Sequence, residues 1–155
     1  MAGARSAGCE KTVIAGDITA KGAGTVREQP AFGGPVSGLA AAMKQVETDW
    51  LMLLACDLPH ARLLCHLLTE SFHSITSDFD GLVALTDFRI QWLAGIYRRS
   101  SLQRELERIR DPQGMALKEL FGNMKLREVQ DPEGFARDID TPEDLASIEN
   151  GRNQA

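Results

Sequence analysis

The chain has 155 residues, of which 43% are hydrophobic and 25% charged, and its formal net charge is -5. That length suits one ordinary domain with a real core, and the composition is that of a globular protein. The acidic balance gives no sign of a nucleic-acid-binding surface, and no apolar run is long enough to span a membrane. Three cysteines without CxxC spacing argue against a disulfide framework or a structural zinc site, so we expect a cytoplasmic protein.

The sequence predicts a disordered leader over residues 1–10, a single domain over residues 11–150 and a short tail over residues 151–155. The first half of the domain is expected to contain strands, a glycine- and proline-rich loop and two helices. The strands are predicted at residues 11–16, 25–28 and 49–57, the loop at 29–38, and the helices at 37–46 and 59–73.

The second half of the domain continues the alternation of strands and helices. Strands are predicted at residues 80–85, 88–97 and 125–129, and helices at 100–109, at 113–121 and from 141 onward. This spacing predicts an α/β fold with a mostly parallel sheet flanked by helices.

The predicted strand at residues 49–57 ends on Asp57. Its nearly continuous apolar run is typical of a strand covered on both faces. Ligands of open α/β sheets bind beyond the carboxyl ends of the strands, so Asp57 is placed where it can hold a hard divalent cation. An acid at this position can equally well cap the helix that follows, and the residues alone leave both roles open.

A glycine-rich loop directly before a predicted helix is the second candidate site. Glycines let backbone amides approach a phosphate closely, and the start of a helix favours negative charge. The candidate nucleotide-binding residues are Gly33, Gly34, Pro35, Ser37 and Gly38. A tight turn that needs glycine for steric reasons is the alternative, and Ser37 is expected to cap the helix.

Two further segments carry candidate residues. Asp138 and Asp140 are two apart on an extended segment, so their side chains point to opposite sides and only one is expected to face a site. A plain helix start explains the same segment without a ligand. Gln91 and Trp92 offer a hydrogen-bonding group and a stacking surface to a substrate, although a buried position is the commoner role for a tryptophan.

Four segments in this order resemble the molybdenum cofactor guanylyltransferase family and the wider group of nucleotidyltransferases with the nucleotide-diphospho-sugar transferase fold. They are GGPVSGLAAAM, LLACDLPH, QWLAGIYR and DIDTPEDL, within residues 12–148. The resemblance implies an enzyme that transfers GMP from GTP to molybdopterin with loss of pyrophosphate, using Mg²⁺. It implies that Asp57 and Asp140 hold the metal and that the GGPVSG loop lies near the nucleotide. Possible partners are a second copy of the chain, a molybdoenzyme or its chaperone.

The resemblance begins at what would be the family's second strand. The family opens with a strand and a glycine-rich, arginine-containing loop with a lysine that wraps the triphosphate, and this sequence has no counterpart. We therefore expect the first strand of the sheet to be missing and activity to be impaired. Two alternatives stay open: a transferase acting on cytidine nucleotides or sugar phosphates, and a non-catalytic binding domain of the same fold.

Overall fold

The computed structural model describes residues 8–28 and 31–137. Within them, the strands are β1 (Val13–Ala15), β2 (Gly24–Val26), β3 (Trp50–Leu54), β4 (Gly81–Thr86), β5 (Arg89–Arg98) and β6 (Leu126–Gln130). The helices are α1 (Pro35–Met43), α2 (Ala61–Phe72), α3 (Arg99–Arg108) and α4 (Leu117–Phe121). Each strand and helix predicted between residues 11 and 129 has an observed counterpart. The predicted tail and the helix from residue 141 lie outside the described residues, as does most of the leader.

The strands form two sheets. β3, β5, β4 and β6 make a four-stranded sheet in that order, and β1 pairs with β2 in a two-stranded sheet. β4 is parallel to β6 and β1 is parallel to β2, whereas β5 is antiparallel to both of its neighbours. It follows that β3, β4 and β6 run in the same direction and end at one edge of the sheet, here called the carboxyl edge.

Helices cover both faces of the four-stranded sheet, which confirms the predicted α/β class. The first core cluster lies on the side of α1, α3 and α4 and contains Val36, Leu39, Met43, Val83, Tyr97, Leu102, Leu120, Phe121 and Met124. The second lies on the side of α2 and contains Leu64, Leu68, Leu82, Ala84, Ala94, Ile96, Val129 and Ala136. Neighbours such as Leu82 and Val83 belong to different clusters because successive side chains of a strand point to opposite faces. None of the helices in the described residues is long and apolar enough to cross a bilayer.

A slip in strand pairing interrupts the contact between β4 and β5. Val83 pairs with Gly95, but the next residue, Ala84, pairs with Gln91. The looped-out part of β5 is held by Tyr97, whose hydroxyl donates a 2.7 Å hydrogen bond to the carbonyl oxygen of Trp92. Bulges of this kind bend a strand and redirect its side chains, commonly next to functional sites.

Candidate functional site

A groove of about 1250 Å³ is lined by β1 of the two-stranded sheet and by β3 of the four-stranded sheet. Its lining includes Val13–Ala15, Trp50–Leu54, Gly34, Pro35, Gly38 and Asp57. The structure therefore brings Asp57 and part of the glycine-rich loop, which are far apart in the sequence, to the same groove.

Asp57 is exposed and follows β3 at the carboxyl edge. The helix after it, α2, begins at Ala61 with His60 as its N-cap, and no side chain of the described residues caps that start. Asp57 therefore does not cap the helix, which was the alternative role, and its carboxylate stays accessible from the groove.

The glycine-rich loop has a conformation that depends on Gly34. This residue has φ 88° and ψ -179°, a backbone region that is essentially restricted to glycine, and it is the N-cap of α1. The prediction that Ser37 caps the helix is wrong, because the helix already begins at Pro35. The Ser37 hydroxyl instead donates a 3.0 Å hydrogen bond to the carbonyl oxygen of Gly33.

The start of α1 is held in place and left without a side-chain cap from the described residues. The Gly33 carbonyl oxygen also accepts a 2.9 Å hydrogen bond from the amide of Gly114, which ties the loop to the segment before α4. An uncapped helix start beside a fixed loop is a suitable place for an anionic group, because backbone amides and the helix dipole both favour negative charge.

Gln91 and Trp92 lie on β5 near the carboxyl edge. The amide of Ala55, one residue beyond β3, donates a 2.8 Å hydrogen bond to the carbonyl oxygen of Leu93, so the two preceding residues of β5 reach the level of Asp57. The Trp92 ring stacks on Phe121, with centroids 5.7 Å apart and planes 2° apart. Neither residue lines the groove, and the tryptophan packs against the first core cluster.

Of the three aspartates considered for a site, only Asp57 lies within the described residues, because Asp138 and Asp140 lie outside them. The structure therefore shows only at Asp57 whether the surroundings suit a metal ion. Within residues 8–28 and 31–137, no group of three or more His, Cys, Asp or Glu side chains could hold a metal ion. A single carboxylate at an open groove still fits Mg²⁺, which usually takes one or two carboxylates and completes its shell with phosphate oxygens and water.

Glu28 is an acid of the same groove that was not among the residues predicted from the sequence. It lies two residues after β2, and one of its carboxylate oxygens accepts a 3.1 Å hydrogen bond from the amide of Phe32. The sequence pattern could have indicated Glu28, because this residue ends a short predicted strand just as Asp57 does.

An α/β sheet with an acid beyond a strand end and a glycine-rich loop at a helix start is an arrangement that many nucleotide-binding proteins share. Residues 2–129 match the family described as "MobA-like NTP transferase domain". The chain belongs to this family.

Two curated relatives bear the name probable molybdenum cofactor guanylyltransferase. The chain is 27% identical over 120 residues to the one from Geobacillus sp. (strain WCH70), covering 74% of this chain and 60% of the relative. It is 32% identical over 121 residues to the one from Nostoc sp. (strain PCC 7120), covering 75% and 56%. The chain thus spans less than two thirds of the length of either relative.

Solved structures with the same fold include two transferase-related proteins. Molybdopterin-guanine dinucleotide biosynthesis protein A from Archaeoglobus fulgidus superposes with a TM-score of 0.60 at 20% identity, covering 86% of this chain and 70% of that one. The 2-C-methyl-D-erythritol 4-phosphate cytidylyltransferase from Thermus thermophilus gives 0.68 at 13% identity, covering 98% and 85%. At these identities the likeness concerns the fold alone.

Proposed function

We propose that the chain is part of a nucleotidyltransferase that transfers GMP from GTP to molybdopterin and releases pyrophosphate. The observation that carries the proposal is the meeting of Asp57 with Gly34, Pro35 and Gly38 around one groove in a chain of the MobA-like family. The start of α1 would receive phosphate groups of the nucleotide, and Asp57 would hold Mg²⁺ together with Asp140.

Nucleotidyl transfer asks the protein mainly to position two phosphate-bearing partners. The bound metal would neutralise charge on the phosphates. Gly33 and Ser37 would support the phosphate-binding loop through the hydrogen bond that joins them. Gln91 and Trp92, which reach the level of Asp57 on β5, would contact the acceptor through their exposed parts.

The proposal can be tested by titrating the 155-residue chain with GTP, with CTP as the competing base, in the presence and absence of Mg²⁺. We expect saturable binding of GTP that strengthens with Mg²⁺. The Asp57→Asn variant should lose at least about tenfold in affinity for Mg²⁺-GTP, because a contact with a full charge is typically worth about 1.5–3 kcal/mol. Nucleotide binding without the metal should change little in this variant.

Asp49→Asn is the matched control, because Asp49 is exposed and lies just before β3, at the opposite end of the strand from Asp57. Equal affinities for the two variants would overturn the role of Asp57. Tighter binding of CTP than of GTP would indicate that the substrate is a cytidine nucleotide. A folded chain that binds neither nucleotide would favour the non-catalytic alternative.

A further inference from the structure

The hairpin between β4 and β5 turns on two residues whose backbone is left-handed. Asp87 has φ 50° and Phe88 has φ 61°, and Thr86 pairs with Arg89 on either side of them. Two consecutive positive φ values are typical of a type I′ turn, for which glycine is the preferred second residue. A bulky side chain in this conformation is strained, because its Cβ crowds the neighbouring carbonyl oxygen.

The fold gains almost nothing from the Phe88 ring in return for this strain. The residue is 99% exposed, so its ring is not packed against the rest of the structure. A phenylalanine normally stabilises a protein by burying a large apolar surface, and this one buries almost none. Backbone strain that the fold does not need is commonly found at functional sites.

The turn is held in one position by an ion pair with the segment after β6. The Arg137 guanidinium donates hydrogen bonds of 2.8 Å and 2.9 Å to the two carboxylate oxygens of Asp87. Arg137 directly follows a turn whose backbone amides are bound by the buried carboxylate of Asp131. The ring of Phe88 is therefore presented from a fixed base, and a ligand that contacts it does not have to order the hairpin first.

The strand register places Phe88 beside the candidate site. Leu53 and Val83 both pair with Gly95, so they lie at the same level of the sheet. Asp57 comes four residues after Leu53 and Phe88 five residues after Val83, so both lie beyond the carboxyl edge. Only β5 separates β3 from β4. Because neighbouring strands are about 4.8 Å apart, the separation of Asp57 and Phe88 is on the order of 10 Å.

We propose that Phe88 is a specificity-determining residue of the acceptor site, where its ring stacks on a flat fused heterocycle that carries the acceptor phosphate. The inference rests on the proposed function, because the metal at Asp57 would fix the position of that phosphate. A fused ring joined to its phosphate by a short linker would span the distance from Asp57 to the hairpin. The pterin of molybdopterin is such a ring, whereas a sugar phosphate has no planar face to stack.

A flat small molecule fits this ring better than a partner protein does. The residues on either side of Phe88 in the turn, Asp87 and Arg89, are exposed and charged. The turn therefore offers one apolar ring between charges, whereas protein interfaces are centred on larger apolar patches. A flat heterocycle can stack on a single aromatic side chain, as nucleic-acid bases do.

Four forms of the 155-residue chain test the role of the ring: the parent, Phe88→Gly, Phe88→Leu and Phe88→Tyr. The probe is pterin 6-carboxylate, followed by its own fluorescence, with glucose 1-phosphate as a non-planar competitor. We expect the parent and Phe88→Tyr to bind the pterin with similar affinity. Phe88→Gly and Phe88→Leu should bind it at least about fivefold more weakly, because stacking needs the aromatic ring. An excess of glucose 1-phosphate should not displace the pterin.

Phe88→Gly suits this test because it should not unfold the protein. Glycine relieves the strain of the left-handed turn and removes almost no packing, so the urea midpoint of this variant should be at least as high as that of the parent. Phe79→Leu is the control, because Phe79 is a half-buried aromatic residue just before β4, at the opposite end of that strand from the hairpin. It should leave pterin binding unchanged.

Three results would overturn the proposal: no binding of the pterin by the parent, equal affinities of the parent and Phe88→Gly, or displacement by glucose 1-phosphate. A lower urea midpoint in Phe88→Gly would also overturn it, since the fold would then need the ring. An oligomer of the parent that Phe88→Gly converts to a monomer would assign the ring to an interface between protein chains instead.

Titration of the same samples with GTP separates this inference from the proposed function. A parent that binds Mg²⁺-GTP but not the pterin would overturn the role of Phe88 and leave the nucleotidyltransferase proposal standing. A parent that binds the pterin through Phe88 but binds no nucleotide would overturn the nucleotidyltransferase proposal and leave the stacking role of Phe88 standing.

Discussion

The Thr86 hydroxyl donates a 2.7 Å hydrogen bond to a carboxylate oxygen of Asp131, which joins the ends of β4 and β6. Both side chains are buried. Asp131 also accepts hydrogen bonds of 2.9 Å from the backbone amides of Phe135 and Ala136. One carboxylate therefore fixes two strand ends and the turn after β6 at the carboxyl edge, on the far side of the sheet from β3.

Replacing Asp131 by alanine should destabilise the protein strongly. The change leaves the Thr86 hydroxyl and two backbone amides without their acceptor, and an unsatisfied buried group costs about 1–3 kcal/mol. We expect the free energy of unfolding, measured with urea, to fall by about 3 kcal/mol. Glu133→Ala is the control, because Glu133 is exposed in the same turn. Similar losses in both variants would show that the hydrogen bonds of Asp131 contribute little.

Tyr97 gives the protein a distinct response to alkaline pH. It is the single tyrosine of the chain and is fully buried, and burial raises the pKa of its hydroxyl above the ordinary value of 10.0. The folded state thus keeps the phenol protonated at a pH where the unfolded chain loses the proton. The stability that this group contributes is fully present below pH ~10 and is lost as the pH rises further.

The Tyr97→Phe variant tests this response. Its free energy of unfolding at neutral pH should be about 1 kcal/mol lower, because the hydrogen bond to Trp92 is lost while the ring is kept. Between pH ~10 and ~11 the parent should lose up to about 1.4 kcal/mol more than the variant. Absorbance at a tyrosinate wavelength should show no ionisation until the parent unfolds. A tyrosinate signal near pH ~10 from the folded chain would contradict the prediction.

Local patterns in the sequence were enough to predict the strands and helices, but not their arrangement. The apolar run of β3 and the breakers around α1 act over a few residues, so their positions were predicted to within a few residues. The position of β5 between β3 and β4 depends on contacts between distant segments. The slip at Gly95 depends on the ring of Tyr97 and the carbonyl oxygen of Leu82, neither of which a local pattern reports.

The candidate site was predicted in part for the same reason. Asp57 and Gly34 were expected beyond a strand end and before a helix, and the structure places both on one groove. The predicted Ser37 cap was wrong because the positive-φ backbone of Gly34 lets the helix begin earlier. β1 and β3 are not paired with each other in the described residues, which agrees with the expectation that a strand of the sheet is missing.

Asp80 should make the protein sensitive to acid. Partial burial would by itself raise the pKa of its carboxyl group. Hydrogen bonds from the Ser101 hydroxyl and the Lys125 amide, with the charges of Arg104 and Arg98, outweigh that effect and lower the pKa below 3.8. A lowered pKa in the folded state contributes stability that is present above the unfolded value of 3.8 and is lost as the pH falls through the folded value.

The Asp80→Asn variant should therefore have a flatter stability profile between pH ~5 and ~2.5 than the parent. Asp78 contributes to the same loss of stability at low pH, because hydrogen bonds from Lys125 and Thr76 lower its pKa to about 2. Urea unfolding at a series of pH values measures both profiles, with Asp49→Asn as a control expected to follow the parent. A parallel decline in the parent and in Asp80→Asn would remove Asp80 as a source of acid sensitivity.

Gly95 allows β4 and β5 to come together at the slip in their pairing. A Cβ atom on this residue would lie 2.5 Å from the carbonyl oxygen of Leu82 and 2.9 Å from the ring of Tyr97. Both neighbours are held in the core, so neither can move aside easily. We expect Gly95→Ala to lower the free energy of unfolding by about 3 kcal/mol, the upper end of the cost of overpacking.

Gly38→Ala is the matched control, because it adds the same methyl group where space exists. The added Cβ would meet the Cβ of Ala15 at 3.4 Å, an ordinary contact, and alanine is favoured over glycine within a helix by about 0.8–1.0 kcal/mol. The two substitutions should therefore change urea stability in opposite directions. If Gly95→Ala were as stable as the parent, β4 and β5 would have to move apart at the slip to make room for the methyl group. In that case the hydrogen bond from Tyr97 to Trp92 would not be what holds the shifted pairing of these two strands in place.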